Sequence, residues 1–324
     1  MRPSPRPEDV RVVFFGTPAF GVPALAALAT ARYRIIRVVT QPPRARGRHG
    51  TPVPSDVARA ATVHGIPVDT PHSLRDRAWI AGIAAEKPTV GIVAAYGKIL
   101  PPPLLRIPTH GFVNIHPSLL PRWRGPSPIS WTIRAGDQQS GVTFMLLDAG
   151  MDTGPIIAQE AFDVPADATT QSLTERMSRV GADMLFRVLP QYLAGLLTPH
   201  PQAGHGVTIA PALSRADGRL SWDEPAAALE RHVRAMFPWP GSWTTWHGGR
   251  LKLTRAHVAA PDETPHTTQT TGSVQQTATG FPAVRTGDGS WLVLDALQRE
   301  GRRVQSGAEF LRGANGFLGA NLSA

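Results

Sequence analysis

Short apolar runs alternate with helical patterns over the first 190 residues of the chain. The runs are rich in Val, Ile and Phe, as expected of strands that are covered on both faces of a sheet. Their alternation with helical stretches predicts an α/β fold with a Rossmann-like, doubly wound and mostly parallel sheet. The predicted strands are residues 11–15, 34–40, 90–95, 112–116, 141–147 and 156–162.

Two helices are indicated by different features of the sequence. Apolar residues between Leu173 and Val188 recur at spacings of three and four, which puts them on one face of a helix. Ser73 precedes Asp76 and a helical run to Ala85. We therefore predict that Ser73 caps a helix there, with an acidic residue in its first turn.

The helical and strand patterns give way to prolines and glycines between residues 190 and 211, which predicts a linker. A chain of 324 residues is also longer than most single domains, so two domains are expected. We predict a first domain at residues 1–190, a linker at 191–207 and a second domain at 208–324.

The second domain has the pattern of a small β-barrel with one helix, the helix falling near residues 226–236. The Thr- and Gln-rich residues 264–279 are predicted to form a mobile loop without a core of its own. The β-like runs of this domain are residues 251–254, 282–286 and 291–296.

Composition narrows the kinds of partner and site. The 33 basic and 24 acidic residues give a formal net charge of +9, which favours an anionic partner such as nucleic acid. The chain has no cysteine and no His-Glu-x-x-His spacing, so disulfides and thiolate zinc sites are excluded and we expect no metal. It has neither an apolar run that could span a bilayer nor a secretion signal, so we expect a cytoplasmic protein without a membrane partner.

Asn114 and His116 end the predicted strand at residues 112–116. Positions i and i+2 of an extended chain project from the same face, and Pro117 stops the strand after His116. An amide donor and an imidazole therefore lie together at the carboxyl end of a strand, where open α/β sheets bind ligands. The alternative is a histidine without a chemical role in a proline-rich loop.

Two motifs surround this strand end. Residues 114–125 read Asn-Ile-His-Pro-Ser-Leu-Leu-Pro-Arg-Trp-Arg-Gly, and residues 141–156 read Gly-Val-Thr-Phe-Met-Leu-Leu-Asp-Ala-Gly-Met-Asp-Thr-Gly-Pro-Ile. In this order they resemble the motifs of the folate-dependent formyltransferases. Further segments are similar to the members of that family that act on methionyl-tRNA, namely residues 14–20, 38–42, 95–101, 213–222 and 237–243.

The resemblance runs over residues 11–312 and implies a Rossmann-like domain followed by an OB-like barrel, a fold that commonly binds nucleic acid. It implies transfer of the formyl group of 10-formyltetrahydrofolate to the free α-amino group of methionyl-initiator tRNA. The expected partners of the monomer are this tRNA and folate. Formyl transfer to a nucleotide-linked amino sugar and hydrolysis of 10-formyltetrahydrofolate remain open as alternatives.

Formyl transfer needs a donor for the oxygen that becomes negative and a group that carries a proton to the leaving nitrogen. The resemblance implies that Asn114 donates to this oxygen, that His116 donates and moves the proton, and that Asp152 keeps the imidazole charged. Asp148 is the rival carboxylate. We prefer Asp152 because a Thr-Gly pair follows it, as in the family, and we expect Asp148 to cap its own loop.

The binding residues also follow from the resemblance. The loop after the first strand lacks the Gly-x-Gly-x-x-Gly pattern, so a dinucleotide site is not expected there. For folate the predicted residues are Ala94, Ala95, Tyr96, Gly97, Ile99, Leu100, Ser118, Leu119, Leu120 and Pro121. For the methionyl group they are Phe15, Gly16, Thr17 and Pro18.

Residues 41–50 form a loop rich in arginine, glycine and proline, in which we expect no regular helix or strand. The loop is either a basic arm that contacts nucleic acid through Arg44, Arg46 and Arg48 or a solvated charged loop. Two alternatives are also open for the Arg-Trp-Arg segment at 122–124. The tryptophan either stacks on nucleic acid or packs, and the arginines either contact RNA or brace the active-site loop.

Overall fold

The computed structural model describes residues 5–45, 50–265 and 269–322, and these residues form two compact units. The described residues of unit 1 lie within Met1–Pro128, Gln139–Asp163 and Thr174–Pro211, and those of unit 2 within Ile129–Gln138, Val164–Leu173 and Ala212–Ala324. Two short segments of the predicted first domain, Ile129–Gln138 and Val164–Leu173, thus group with unit 2, which the sequence pattern did not indicate. The domain boundaries at residues 190 and 208 stay a prediction.

Unit 1 contains a seven-stranded sheet and a separate pair of short strands. In chain order the strands are β1 (Arg11–Gly16), β2 (Arg34–Val39), β3 (Arg44–Ala45), β4 (Pro52–Val53), β5 (Val68–Asp69), β6 (Val90–Ala94), β7 (Phe112–His116), β8 (Gln139–Leu146) and β9 (Ile156–Asp163). The sheet has the order β5-β2-β1-β6-β7-β8-β9. Its strands are parallel from β5 to β7, whereas β8 and β9 are antiparallel to their neighbours. The predicted Rossmann-like, mostly parallel sheet is confirmed.

The burial of each strand follows its place in this sheet. The central strands β6 and β7 are buried along their whole length, whereas the edge strand β9 alternates between more and less buried residues after its first two positions. Phe15 packs edge-to-face against Tyr96 and Phe112, with ring centroids 5.2 and 5.4 Å apart. Each such ring pair stabilises the core by about 0.5–1.5 kcal/mol beyond the area that it buries.

The direction in which the sheet grows reverses beside β1. From β1 the chain continues to β2 on one side, and after β5 it crosses back to β6 on the other side of β1. The loops that follow β1 and β6 therefore diverge at the carboxyl edge of the sheet. A crevice opens at such a point in open α/β sheets, and ligands bind there.

The helices of the first 200 residues are α1 (Val22–Thr30), α2 (Asp56–Val63), α3 (Arg77–Ala85), α4 (Pro102–Leu105), α5 (Pro128–Ala135) and α6 (Thr170–Leu193). Helix α6 confirms the periodic pattern seen in the sequence. The predicted cap of α3 is wrong, because the Asp76 carboxylate accepts from the backbone N–H groups of Ala78 and Trp79 at 2.8 and 3.2 Å. Ser73 instead accepts from the backbone N–H of Arg75 in the preceding turn.

The basic loop contains regular structure that we did not expect. Arg44 pairs with Val53 and Ala45 with Pro52, so that β3 and β4 form a two-stranded antiparallel sheet. The expectation of no strand in residues 41–50 is therefore wrong for Arg44 and Ala45. The backbone pairing holds Ala45 close to Pro52.

Unit 2 contains the rest of the elements, α7 (Ala226–Ala235), β10 (Ser242–Trp246), β11 (Gly249–Val258), β12 (Val274–Gln276), β13 (Pro282–Arg285), β14 (Trp291–Arg299), β15 (Gln305–Ser306) and α8 (Gly307–Arg312). Its strands pair antiparallel in the order β10-β11-β14-β13-β12, with β15 added to β14. Leu229 and Val233 of α7 share a core cluster with Leu251 and Leu294 of the sheet. A separate antiparallel sheet is thus confirmed, and its closure into an OB-like barrel stays a prediction.

The Thr- and Gln-rich segment is the other correction in unit 2. Residues 264–279 were expected to lack a core, yet β12 lies within them and Val274 is fully buried. Strand β12 is the last strand in the sheet order and pairs with β13, and Val274 is its buried side chain. Residues 266–268 lie outside the described part of the chain. Among the described helices none is both long and apolar enough to cross a membrane.

Candidate active site

A cavity of about 570 Å³ lies in unit 1 at the carboxyl edge of the sheet, where the growth of the sheet reverses. Its wall comes from the loops that follow β1, β6, β7 and β8. Cavities of this size hold small organic ligands, and walls of this kind are mostly apolar with a few polar groups that converge. The converging polar side chains here are Asn114, His116 and Asp152.

Strand β7 places two of these side chains. Asn114 and His116 lie two positions apart on one face of the strand and both line the cavity. Only 9% of Asn114 and 4% of His116 is exposed. A polar side chain that is this deeply buried needs a partner, because leaving it without one costs about 1–3 kcal/mol.

The partner of His116 determines which ring nitrogen carries a proton. Nε2 lies 2.9 Å from the backbone carbonyl oxygen of Trp123. A carbonyl oxygen only accepts, so Nε2 is the donor in this contact. The other ring nitrogen, Nδ1, faces Asp152 with 3.7 Å between Nδ1 and Oδ1.

Asp152 lies in the loop after β8, and each of its carboxylate oxygens contacts a nitrogen of the site. The backbone N–H of Gly125 donates to Oδ2 at 2.8 Å, and Asn114 Nδ2 lies 3.5 Å from Oδ1. The backbone of Asp152 is in the left-handed region, with φ of 54°. Backbone conformations of this kind cost free energy and are concentrated at functional sites, where surrounding contacts maintain them.

Asp148 has the capping role that we expected. Its Oδ1 accepts from the backbone N–H of Gly150 at 2.9 Å and from Thr153 Oγ1 at 2.7 Å. The loop then passes close to β8 at Gly154, where a Cβ atom would lie only 1.8 Å from the carbonyl oxygen of Leu146. A glycine is required at this close approach.

The arrangement provides three chemical functions within one small volume. The Asn114 amide can donate a hydrogen bond, the His116 imidazole is a group that can carry a proton, and the Asp152 carboxylate lies beside both. A donor and a proton carrier side by side are what acyl-transfer chemistry needs at the carbonyl oxygen and the leaving group.

The loop after β6 forms the second polar feature of the cavity. The Tyr96 carbonyl oxygen accepts from Thr17 Oγ1 at 3.0 Å and from Gln41 Nε2 at 2.9 Å, which ties together the loops after β1, β2 and β6. Both lone pairs of that oxygen are directed at protein donors. Burial raises the pKa of the Tyr96 phenol to about 12, so this group is neutral near pH 7.

The predicted folate residues fall into two sets. Lining the cavity are Ala95, Tyr96, Gly97, Ile99 and Leu100. Not among its lining residues are Ala94, which is fully buried in β6, and Ser118, Leu119, Leu120 and Pro121. The turn at 118–121 is held by other bonds, since Ser118 Oγ donates to the Arg122 carbonyl oxygen and Leu120 N–H donates to Thr143 Oγ1. Its contact with folate stays a prediction that the lining of the cavity does not support.

The residues predicted to bind the methionyl group also fall into two sets, those that line the cavity and those that do not. Thr17 and Pro18 line the cavity, whereas Phe15 and Gly16 are buried residues of β1 behind it. Arg44 lies in β3, and Arg46 and Arg48 lie outside the described residues.

The segment after β7 settles one open alternative. Trp123 is only 9% exposed, and the Arg122 guanidinium carbon lies 4.4 Å from the centre of its ring, so the tryptophan packs. Arg124 donates through Nε and Nη2 to Gln202 Oε1 at 3.0 and 2.7 Å, so this arginine braces the loop.

Sequence reasoning missed two polar residues of the site. Gln41 lies just beyond the carboxyl end of β2, which was a usable signal for a residue at this edge. Gln202 lies in the predicted linker, outside every motif, and no pattern in the sequence indicated it.

Comparison with protein families covers both units. The family model described as "Formyl transferase" matches residues 10–189, and the one described as "Formyl transferase, C-terminal domain" matches residues 212–315. The chain is 47% identical over 306 residues to the methionyl-tRNA formyltransferase of Roseiflexus castenholzii, with 94% of this chain and 96% of the relative covered. It is 42% identical to that of Myxococcus xanthus, with 94% and 95% covered.

Solved structures share the fold at lower identity. An N-formyltransferase from Helicobacter canadensis, in complex with folinic acid and dTDP-3-aminofucose, matches with a TM-score of 0.66 and 15% identity over 90% of this chain and 99% of that one. HypX from Aquifex aeolicus, in complex with tetrahydrofolic acid, matches with a TM-score of 0.64 and 16% identity, and this chain spans 48% of its length. The two family models and the extent of the sequence identity together show that the chain belongs to the formyl transferase family, among the methionyl-tRNA formyltransferases.

Proposed function

We propose that this enzyme transfers the formyl group of 10-formyltetrahydrofolate to the α-amino group of methionine esterified to initiator tRNA. The observation that carries the proposal is the 47% identity with a methionyl-tRNA formyltransferase over 94% of the chain, second domain included. The juxtaposition of Asn114, His116 and Asp152 in the cavity supports it, because these groups fit the chemistry of formyl transfer.

In the proposed reaction the neutral amine attacks the formyl carbon, a carbon–nitrogen bond forms, and the bond from the formyl carbon to folate N10 breaks. Asn114 Nδ2 and protonated His116 Nδ1 donate to the oxygen while it carries negative charge. As the bond to N10 breaks, His116 gives its Nδ1 proton to N10, and Nδ1 then takes up the proton that the attacking amine loses, which restores the imidazolium. The Asp152 carboxylate, held by Gly125 N–H, stabilises this imidazolium before and after the transfer.

The formyl donor would occupy the cavity against the loop after β6. Ala95 and Gly97 offer backbone groups there, and Ile99 and Leu100 offer apolar surface. The Tyr96 carbonyl oxygen shapes this loop through its two protein donors and is not assigned to the ligand. For the methionyl group we retain Thr17 and Pro18 as direct contacts, with Phe15 and Gly16 as the support behind them.

For the RNA we propose contacts by the basic arm, that is Arg44, Arg46 and Arg48. The net charge of +9 supports a polyanionic partner. The backbone pairing of Arg44 with Val53 and of Ala45 with Pro52 supports a defined backbone position for the start of the arm. Phosphate contacts by arginine do not depend on base sequence, so they position the RNA and leave its identity to other groups.

Amino-sugar transfer and hydrolysis of the formyl donor are the competing functions. Structures of sugar formyltransferases resemble this chain at 14–21% identity, which reflects the shared fold and does not favour their acceptor. The test supplies purified enzyme and 10-formyltetrahydrofolate with methionyl-tRNA, free methionine, a nucleotide-linked amino sugar or no acceptor. We expect rapid formylation of methionyl-tRNA alone. Faster formylation of the sugar, or release of formate at the same rate without acceptor, would reject the proposal.

A further inference from the structure

Residues 200–210 run between two segments that build the active site, and we call them the strap. His200 exchanges backbone hydrogen bonds with Ile156, just after the Asp152 loop, at 2.8 and 2.9 Å. Arg124 N–H donates to the Thr208 carbonyl oxygen at 2.9 Å, and Ala210 N–H donates to the Arg124 carbonyl oxygen at 2.7 Å. The strap is thus bonded through its backbone to both segments.

Within the strap, Gln202 is bonded to the loop that carries Asp152. Its Nε2 donates to the carbonyl oxygens of Asp152 and Gly154, both at 2.8 Å, and its Oε1 accepts from the Arg124 guanidinium. An amide nitrogen has two hydrogens, so both are used in the loop. The side chain therefore joins the Asp152 loop to the segment whose Gly125 N–H holds the Asp152 carboxylate.

Thr208 makes the corresponding connection to His116. Its Oγ1 accepts from the backbone N–H of Trp123 at 2.8 Å, and the carbonyl oxygen of Trp123 accepts from His116 Nε2 at 2.9 Å. The backbone of Trp123 is left-handed, with φ of 63°. A tryptophan rarely adopts that conformation, so external contacts are needed to maintain it.

We propose that the strap is a positioning element of the active site, in which Gln202 sets the place of Asp152 and Thr208 sets the orientation and tautomer of His116. The inference rests on the proposed catalytic roles of His116 and Asp152. Asp152 itself has left-handed backbone, and so does Trp123, whose carbonyl oxygen holds the His116 ring. The strap bonds to both residues, through Gln202 at Asp152 and through Thr208 at Trp123. A segment that sequence alone assigns to a linker is then part of the catalytic machinery.

The test uses near-isosteric variants that remove only the strap's side-chain bonds, Gln202→Leu and Thr208→Val. Each has a matched control in unit 1, away from the cavity. Gln191→Leu removes an amide that donates to the Arg187 carbonyl oxygen, and Thr109→Val removes a hydroxyl that donates to the Thr89 carbonyl oxygen. Single-turnover formyl transfer to methionyl-tRNA, folate affinity and thermal unfolding are measured for all four variants and the wild type.

We expect each strap variant to lower the single-turnover rate roughly 10- to 100-fold, because small displacements of reacting groups have effects of this size. Folate affinity should stay within about 2-fold of the wild type, since neither side chain lines the cavity. The controls should retain the wild-type rate. If Gln202→Leu fails to fold, Gln202→Glu replaces it, because that variant keeps the size and places an oxygen against the two carbonyl oxygens.

A double-mutant cycle separates positioning from general loosening. If Gln202 acts through Asp152, Gln202→Leu should cost far less in an Asp152→Asn background than in the wild type. Equal losses in both backgrounds, or strap variants as active as their controls, would overturn the proposal. In either case a wild type that formylates methionyl-tRNA leaves the proposed function standing, whereas an inactive wild type would count against the function itself.

Discussion

His116 is defined by a contact at each ring nitrogen. The Trp123 carbonyl oxygen requires a proton on Nε2, and this leaves Nδ1 to face the Asp152 carboxylate across 3.7 Å. The tautomer therefore decides which nitrogen is free for proton transfer.

Replacing His116 with Ala, or Asp152 with Asn, should lower single-turnover formyl transfer by a factor on the order of 10² to 10⁴, the range for lost acid–base groups. Asp148→Asn is the matched control. Asp148 caps a loop through one oxygen, and the side-chain carbonyl of an asparagine can replace that oxygen. Asp148→Asn should therefore lose much less activity than Asp152→Asn. Equal losses for Asp148→Asn and Asp152→Asn, or full activity of His116→Ala, would contradict the assignment.

His232 is the buried histidine of unit 2, only 3% exposed, on α7. Burial lowers the pKa of His232 to about 4, and the nearby Arg134 guanidinium acts in the same direction. Below pH 6.5 the unfolded chain therefore binds a proton that the folded protein excludes. The free energy of unfolding should fall by up to about 3 kcal/mol as the pH drops from 6.5 to 4.

The measurement compares denaturant unfolding of wild type and His232→Asn across this pH range, with His64→Asn as the control on the surface of unit 1. Asparagine keeps a polar atom near Nδ1 and has no proton to gain. The difference in unfolding free energy between wild type and His232→Asn should shrink as the pH falls. A difference that does not change with pH would show that His232 does not titrate in the unfolding equilibrium.

Among the elements, strands were easier to predict than the bonds between loops. Strand β7 was predicted at its observed bounds, because a short apolar run stopped by Pro117 is a local signal. The bond from Gln202 to the Asp152 loop joins residues 50 positions apart, and no local pattern encodes such a contact. The candidate catalytic side chains were found from motifs, whereas the residues that hold them were visible only in the folded structure.

The start of α3 illustrates the limit of local signals. Ser73 and Asp76 are both residue types that cap helices, and we predicted Ser73 as the cap with Asp76 in the first turn. Asp76 caps the helix and has the added advantage of a negative charge at the helix N-terminus. Ser73 is used in the turn before it.

The basic arm is an element whose role depends on charge. Arg44→Ala should weaken the use of methionyl-tRNA and leave folate binding unchanged, because the proposed role of Arg44 is to contact phosphate groups of the RNA. Each lost phosphate contact lowers the slope of log affinity against log salt by roughly one unit. Binding is measured over a salt series, with the exposed Arg75→Ala as control. Identical slopes for Arg44→Ala and wild type would show that Arg44 makes no phosphate contact and would favour the alternative of a solvated charged loop.

At the scale of the whole molecule, two features bear on the choice of acceptor. The chain has a net charge of +9, and a second unit with its own core that matches the C-terminal domain of the family. The chemistry in the cavity needs only an amine that attacks in its neutral form. The charge and the second unit are therefore expected to act on the choice of acceptor and not on the bond-forming step.

The most direct test of the account follows the formyl group itself. Wild-type enzyme is mixed in excess with 10-formyltetrahydrofolate labelled in the formyl carbon and with a limiting amount of methionyl-initiator tRNA, and the label is located by mass after the ester is hydrolysed. The account predicts label on the α-amino group of methionine, at a rate far above that with free methionine and greatly reduced in Asp152→Asn. Label that stays on folate or appears only as formate, while the protein is folded and binds folate, would contradict it.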